Sequence, residues 1–185
     1  MIVFNLDNTL ANCEHRNYFI DPEDEHPGYI RNFCSNCTPD NPHRAHRQIH
    51  KITGEEWKPD WDGFDNACHK DKVNRPGALI LKSLVESNHL VEIWTGRSEN
   101  VREKTIDWLK HKIWRNNNPS PINLLHRVKM RPLGNEEDED TLKMQWLNEE
   151  DRAGIKIALA VESDEEMVKK WTEKGVPCIK VVPAD

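Results

Sequence analysis

Long apolar runs are missing from this chain of 185 residues. No window approaches the roughly 18 consecutive apolar residues a membrane helix needs, which excludes a transmembrane span. A basic excess is missing too. Lys and Arg total 26 against 32 Asp and Glu, for a formal net charge of −6. The chain as a whole is therefore no polycation, and any nucleic-acid contact must rest on a local patch. The N-terminal MIVFNLDNTLA has no basic leader and carries Asp7 in its middle, so it does not read as a secretory signal. Cysteines number five. An odd count without a signal makes a reducing cytoplasm the expected setting. No G-x-x-x-x-G-K-[ST] occurs, which excludes a P-loop kinase site. Hydrophobic residues make up 36% and mean hydropathy is −0.84. That is polar for a globular enzyme and places part of the chain outside the main core.

What is present is a rhythm of buried strands and helices. Met1–Leu6, Leu90–Thr95, Ile155–Val161 and Cys178–Val182 are short, apolar and rich in β-branched residues, as buried parallel strands are. Helical patterns fall between them at Pro76–Ser87, Ser98–Lys112, Thr141–Asn148 and Glu165–Glu173, with Ser98 as an N-cap and Gly175 just past the last helix. Strands alternating with helices predict an α/β fold, a parallel sheet covered on both faces. Residues 12–75 break the rhythm. They are long, polar, punctuated by Pro22, Pro27, Pro39, Pro42 and Pro59, and hold four of the five cysteines. They read as a subdomain inserted after the first strand. Residues 116–140 read as loop with a short strand near Arg127–Met130.

The polar residues with chemistry to offer sit at strand ends, where open parallel sheets bind ligands. The first strand runs into Asn5-Leu6-Asp7-Asn8-Thr9, and alternation puts Asn5 and Asp7 on one side of the chain. The second ends in Thr95-Gly96-Arg97-Ser98, a turn whose side chains and helix-start N–H groups suit a phosphate. The third ends in Glu162-Ser163-Asp164-Glu165-Glu166, a carboxylate run suited to a hard cation such as Mg²⁺. Lys143 precedes it, a point charge for phosphate oxygens.

In order and spacing these segments resemble the haloacid dehalogenase (HAD) phosphohydrolases. Within that superfamily they are most similar to the phosphatase domain of bacteriophage-type polynucleotide kinases and related small phage phosphatases. FNLDNTLA resembles the first motif, IWTGR the second, the lysine of DTLKMQWL the third, and LAVESDEEMVKKWTEKGVPCIKVV the fourth with its tail. The resemblance covers residues 1–16 and about 57–185. It implies a HAD-like Rossmannoid three-layer fold over a single domain, 1–185, with 12–75 as a cap. It implies a Mg²⁺-dependent phosphatase acting on a phosphorylated small molecule, a nucleotide or a nucleic-acid 3′ end. The compartment would be the cytoplasm, the host's if the protein is viral.

Residue by residue, Asn5 stands where the family's nucleophile forms an aspartyl-phosphate, and Asp7 where its general acid–base stands. Thr95 and Lys143 would hold the transferred phosphoryl group, with Thr9, Gly96 and Arg97 binding substrate. Mg²⁺ would take Asn5, Asp7 through its backbone carbonyl, and Glu162. The chain departs from the family pattern twice. Asn5 replaces the nucleophilic acid, and Glu162-Ser163-Asp164 replaces Asp-Asp-Arg. These departures set a second expectation beside the first: a catalytically inactive HAD-fold protein that binds a phosphate or a protein partner. Asp164 or Glu165 are the carboxylates that could replace the one lost at Ser163.

The insertion raises questions of its own. Cys34, Cys37, His43 and His46 form C-x2-C-x5-H-x2-H, a donor set for a structural Zn²⁺, with Cys13, Cys68 and His69 as rival ligands. Reduced thiols and surface histidines are the alternative. Tyr18, Phe19, Tyr29, Phe33, Trp57, Trp61 and Phe64 read as the insertion's own core or as a base-stacking platform. Lys110, Lys112, Arg115, Arg127, Lys129 and Arg131 in residues 108–135, and Arg44, Arg47 and Lys51 in the insertion, read as solvated surface or as phosphate contacts.

Overall fold

The structure is a computed structural model that describes residues 1–21, 29–31, 48–50, 58–114 and 122–182. The chain divides into two compact units, Met1–Cys13 with Cys68–Asp185, and Glu14–Ala67.

The larger unit is built on a five-stranded sheet. Its elements are β1 (Ile2–Asn5) and β2 (Ala11–Asn12) at the N-terminus. In the smaller unit follow β3 (Tyr29–Arg31), β4 (Gln48–His50) and α1 (Trp61–Asn66). The larger unit resumes with β5 (Lys72–Val73), α2 (Arg75–Glu86), β6 (Val91–Ser98), α3 (Arg102–Trp108), α4 (Ile122–Leu125), β7 (Val128–Arg131), α5 (Glu139–Arg152), β8 (Leu159–Glu162), α6 (Glu165–Glu173) and β9 (Cys178–Lys180). The sheet order is β7-β6-β1-β8-β9 and every pairing is parallel. The chain steps outward from β1 through β6 to β7, then returns to build β8 and β9 on the other side. The reversal falls between β1 and β8, and their carboxyl ends frame the crevice where such sheets take ligands.

Register decides which side chains meet there. Val3 pairs with Ala160 and Asn5 with Trp94. Two residues further along β1 and β8, the same face carries Asn5 and Glu162. Below them lies the core of Val3, Trp94, Leu142, Trp146, Met167 and Trp171. Trp94 sits 5.6 Å from Trp146 and 5.8 Å from Trp171, in edge and tilted arrangements that aromatic pairs favour. Helix α5 turns Leu142, Lys143, Trp146 and Leu147 inward, so its apolar stripe delivers Lys143 to the strand ends.

Some element limits differ from those expected. Strand β8 begins at Leu159, because Ile155 is exposed and the stretch before the sheet only leads into it. Strand β6 runs on to Ser98 through an irregularity that sets Thr95 beside Met130 and Ser98 beside Arg131. Ser98 then caps a 3₁₀ turn, Glu99–Val101, before α3. Helix α5 is longer than its apolar pattern, because Asp138 caps it through the Thr141 N–H and acidic Glu139 and Asp140 fill its first turn.

In the smaller unit, Arg16 is buried with its guanidinium 3.8 Å from the centre of the Phe64 ring and bonded to the Phe64 carbonyl at 3.0 Å. Tyr18 and Phe19 stack at 4.4 Å. Trp61 is exposed, beside Phe64 at 5.9 Å. Cys34, Cys37, His43 and His46, the expected zinc ligands, lie outside the described residues. So do Phe33, Trp57, Arg44, Arg47, Lys51 and Arg115. For Tyr29 the backbone alone is described. Among the described residues no helix is long and apolar enough to cross a membrane.

Candidate functional site

Two clusters of buried and half-buried polar side chains meet at the end of β1. The first joins Asn5, Glu162, Lys143 and Glu139. The Asn5 amide nitrogen donates to Glu162 Oε1 at 2.5 Å and to the Asp7 backbone carbonyl at 2.9 Å. Its amide oxygen accepts from the Leu6 N–H at 2.8 Å. That bond fixes the amide's sense, since the reverse orientation would face oxygen against oxygen at Glu162 and N–H against N–H at Leu6. Lys143 Nζ lies 2.9 Å from Glu162 Oε2 and 2.8 Å from Glu139 Oε1. Gly96 leaves room for Glu139, whose carboxylate an added Cβ would meet at 2.8 Å. Burial alone would lower the Lys143 pKa, but Glu139 and Glu162 outweigh it and the net shift is upward. Burial pushes Glu162 up, and Lys143 partly offsets this.

The second cluster joins Asp7, Arg97, Asp71 and Cys13. Arg97 reaches Asp7 through Nη2 at 2.5 Å and Nε at 3.0 Å, and Asp71 through Nη2 at 2.6 Å. Its burial favours the neutral form, yet Asp7 and Asp71 hold its pKa above the usual arginine value. Thr95 Oγ1 donates to Asp7 at 3.3 Å and accepts from the Arg97 N–H at 3.2 Å. The Cys13 thiol donates to Asp7 at 2.9 Å. Asn8, with a φ of 57°, turns the chain just after Asp7, a left-handed position that asparagine tolerates.

Asn5, Asp7, Thr95, Lys143, Glu162 and Arg97 thus lie in two adjoining networks around one strand end. Thr9 is fully buried, and its hydroxyl has no hydrogen-bond partner among the described residues. Neither candidate replacement carboxylate joins these networks. Asp164 caps α6 through the Met167 N–H at 2.8 Å, and Glu165 pairs with Lys180 on the surface. Sequence reasoning missed Asp71 and Glu139. Glu139 stands four residues before Lys143 on one helix, a spacing that signals an ion pair. Asp71 carries no such signal.

Three residues of the basic segment are paired within the chain. Lys129 contacts Glu149 and Glu150, Lys110 contacts Asp107, and Arg131 bonds to the carbonyls of Gly96 and Glu137.

The donor set does not fit a divalent cation. Each oxygen assigned to Mg²⁺ by resemblance already faces a donor. The Asp7 carbonyl takes Asn5 Nδ2 and, at 3.4 Å, Ser163 Oγ. Glu162 takes Asn5 Nδ2, the Ser163 N–H and Lys143. The Asn5 oxygen takes Leu6 N–H. Asp7, Cys13 and Asp71 also bring possible ligand atoms within 4.8 Å of one another, but Arg97 already supplies their positive charge.

A model of the phosphatase domain of polynucleotide kinase PNKP matches residues 60–185. No curated protein sequence matches. Among solved structures, a chain of the Pnkp1/Rnl/Hen1 complex aligns with a TM-score of 0.60 at 19% identity, over 100% of this chain and 46% of that one. The class C acid phosphatase from Bacillus anthracis aligns with a TM-score of 0.54 at 12% identity, over 98% of this chain and 65% of that one. The chain therefore spans about half the length of the first and just under two thirds of the second. At these identities the likeness is one of fold, and it agrees with the five-stranded parallel sheet.

Proposed function

This chain belongs to the family of polynucleotide kinase PNKP phosphatase domains, and on that premise we propose that it is a phosphatase-like domain that recognises a phosphomonoester end without hydrolysing it through an aspartyl-phosphate. The ligand class is a nucleotide or a nucleic-acid 3′ phosphate, by family resemblance. The observation that carries the reading is Asn5. Its neutral amide stands at the nucleophile position, its oxygen held by Leu6 and its nitrogen by Glu162. An amide so held cannot attack phosphorus to give the usual covalent intermediate.

One of the similar structures is the Pnkp1/Rnl/Hen1 RNA repair complex. A protein partner, or a place beside other end-processing activities, is consistent with that likeness and with an inactive domain.

One observation favours a second reading, a working phosphomonoesterase. Thr95 and Arg97 converge on Asp7, which keeps 16% of its side chain exposed and could still exchange a proton with substrate. Two assays separate the readings. Binding of a 3′-phosphorylated oligonucleotide is compared with its 3′-hydroxyl counterpart, and release of phosphate from an aryl phosphate is followed with Mg²⁺ present. The expected result is preference for the phosphorylated end, with turnover equal to that of Asn5→Ala. Turnover well above Asn5→Ala, and lost in Asp7→Ala, would establish the second reading instead.

A further inference from the structure

We propose that the Asn5 amide is an internal stand-in for a divalent cation, so that this site is metal-free by construction and one substitution converts it into a cation site. The inference rests on Asn5 standing at the nucleophile position, but it concerns metal binding and not turnover. The amide nitrogen bridges two oxygens from different segments, Glu162 Oε1 at 2.5 Å and the Asp7 carbonyl at 2.9 Å. A cation would draw those same two oxygens together. Ser163 Oγ adds a second donor to the Asp7 carbonyl, and the Ser163 N–H a second donor to Glu162 Oε1. Lys143, 2.9 Å away, balances the charge of Glu162. Neutral amide, carboxylate and ammonium thus close the site, and each oxygen it presents already faces at least one donor.

Replacing Asn5 by Asp removes the bridging N–H groups and sets a second carboxylate against Glu162. The cluster's only cation among the described residues, Lys143, already lies between Glu162 and Glu139. Like charges so close oppose joint ionisation and invite a cation between them. The structure-based expectation is a change in metal response that needs no catalysis to detect.

Thermal unfolding of the full chain is measured in EDTA and in Mg²⁺, for the natural sequence, Asn5→Asp, and the double variant Asn5→Asp with Glu162→Gln. The natural protein should melt at the same temperature in both buffers. Asn5→Asp should melt lower than it in EDTA and rise by about 5–10 °C when Mg²⁺ exceeds its dissociation constant a hundredfold. The double variant again has one carboxylate and one amide, in exchanged places, and should lose the Mg²⁺ response. If Asn5→Asp is unfolded in EDTA, recovery in Mg²⁺ is the same result. An Asn5→Asp protein that ignores Mg²⁺, or stays unfolded with it, overturns the proposal. So does a natural protein stabilised by Mg²⁺ as strongly as the variant. Should the natural protein prove to be a phosphatase while showing no Mg²⁺ response, the functional reading fails and this inference stands.

Discussion

The two clusters at the end of β1 are built to one plan with different materials. Each places one cation between two carboxylates: Lys143 between Glu139 and Glu162, and Arg97 between Asp7 and Asp71. On the lysine side, the Glu139 side chain is 36% exposed and the Asn5 and Ser163 donors also serve Glu162. On the arginine side, Asp71 is fully buried and the fork of the guanidinium fixes both partners. Lysine is a point charge that needs helpers, whereas arginine's planar donors set geometry by themselves. The lysine side is therefore the adaptable one, and that is where the unusual Asn5 stands.

The comparison ranks the outcomes of mutation. Arg97→Met strands two carboxylates and should cost the most, about 4–5 kcal/mol in urea unfolding. Lys143→Met should cost less, about 3 kcal/mol, because Glu139 can turn to water and Asn5 still donates to Glu162. An equal or reversed order would break the contrast. The pH dependence sharpens it. Because the folded Lys143 pKa is raised, its contribution is intact below the ordinary lysine value of about 10.4 and falls as pH rises through the folded value. Stability of the natural protein should decline above about pH 10.4 more steeply than that of Lys143→Met, measured by urea unfolding from pH 9 to 11.5.

Asp164→Ala tests whether this residue acts as a helix cap and not as a site carboxylate. The expected loss is about 1 kcal/mol, with no change in phosphate-end binding. The smallest effect is read at Cys178, whose pKa is pushed up to about 11 by burial and then by Glu162, with Lys143 opposing. Glu162→Gln should speed its alkylation at pH 8 by about threefold, and Lys143→Met should slow it. Unchanged rates in both would show that the thiol does not sense the lysine-side charges.

The sequence made the sheet legible because its strands are buried on both faces and read as apolar runs. It also made the rim legible, since polar residues at the ends of such runs have few other reasons to be there. What escaped reading depended on position in space. Asp71 lies in a polar stretch assigned to the insertion, and its bond to Arg97 spans 26 residues. Glu139 belongs to the stretch 116–140 that read as loop, and the space Gly96 leaves decides its role. Arg97 read as a phosphate ligand because a sequence shows a charge but not the carboxylates around it. The orientation of the Asn5 amide depends on Leu6 and Glu162 together, which no local pattern encodes.

The pairing of β1 with β8 carries a consequence for assembly of the chain. Sliding β8 by one residue would swing Glu162 to the opposite face and present Val161 or Ser163 to Lys143. The ammonium would then be trapped without a carboxylate from the sheet, and the Asn5 nitrogen would face no acceptor on that strand. The rim thus works as a keyed lock on strand alignment: only one alignment lets the crossover through α5 close without stranding a charge.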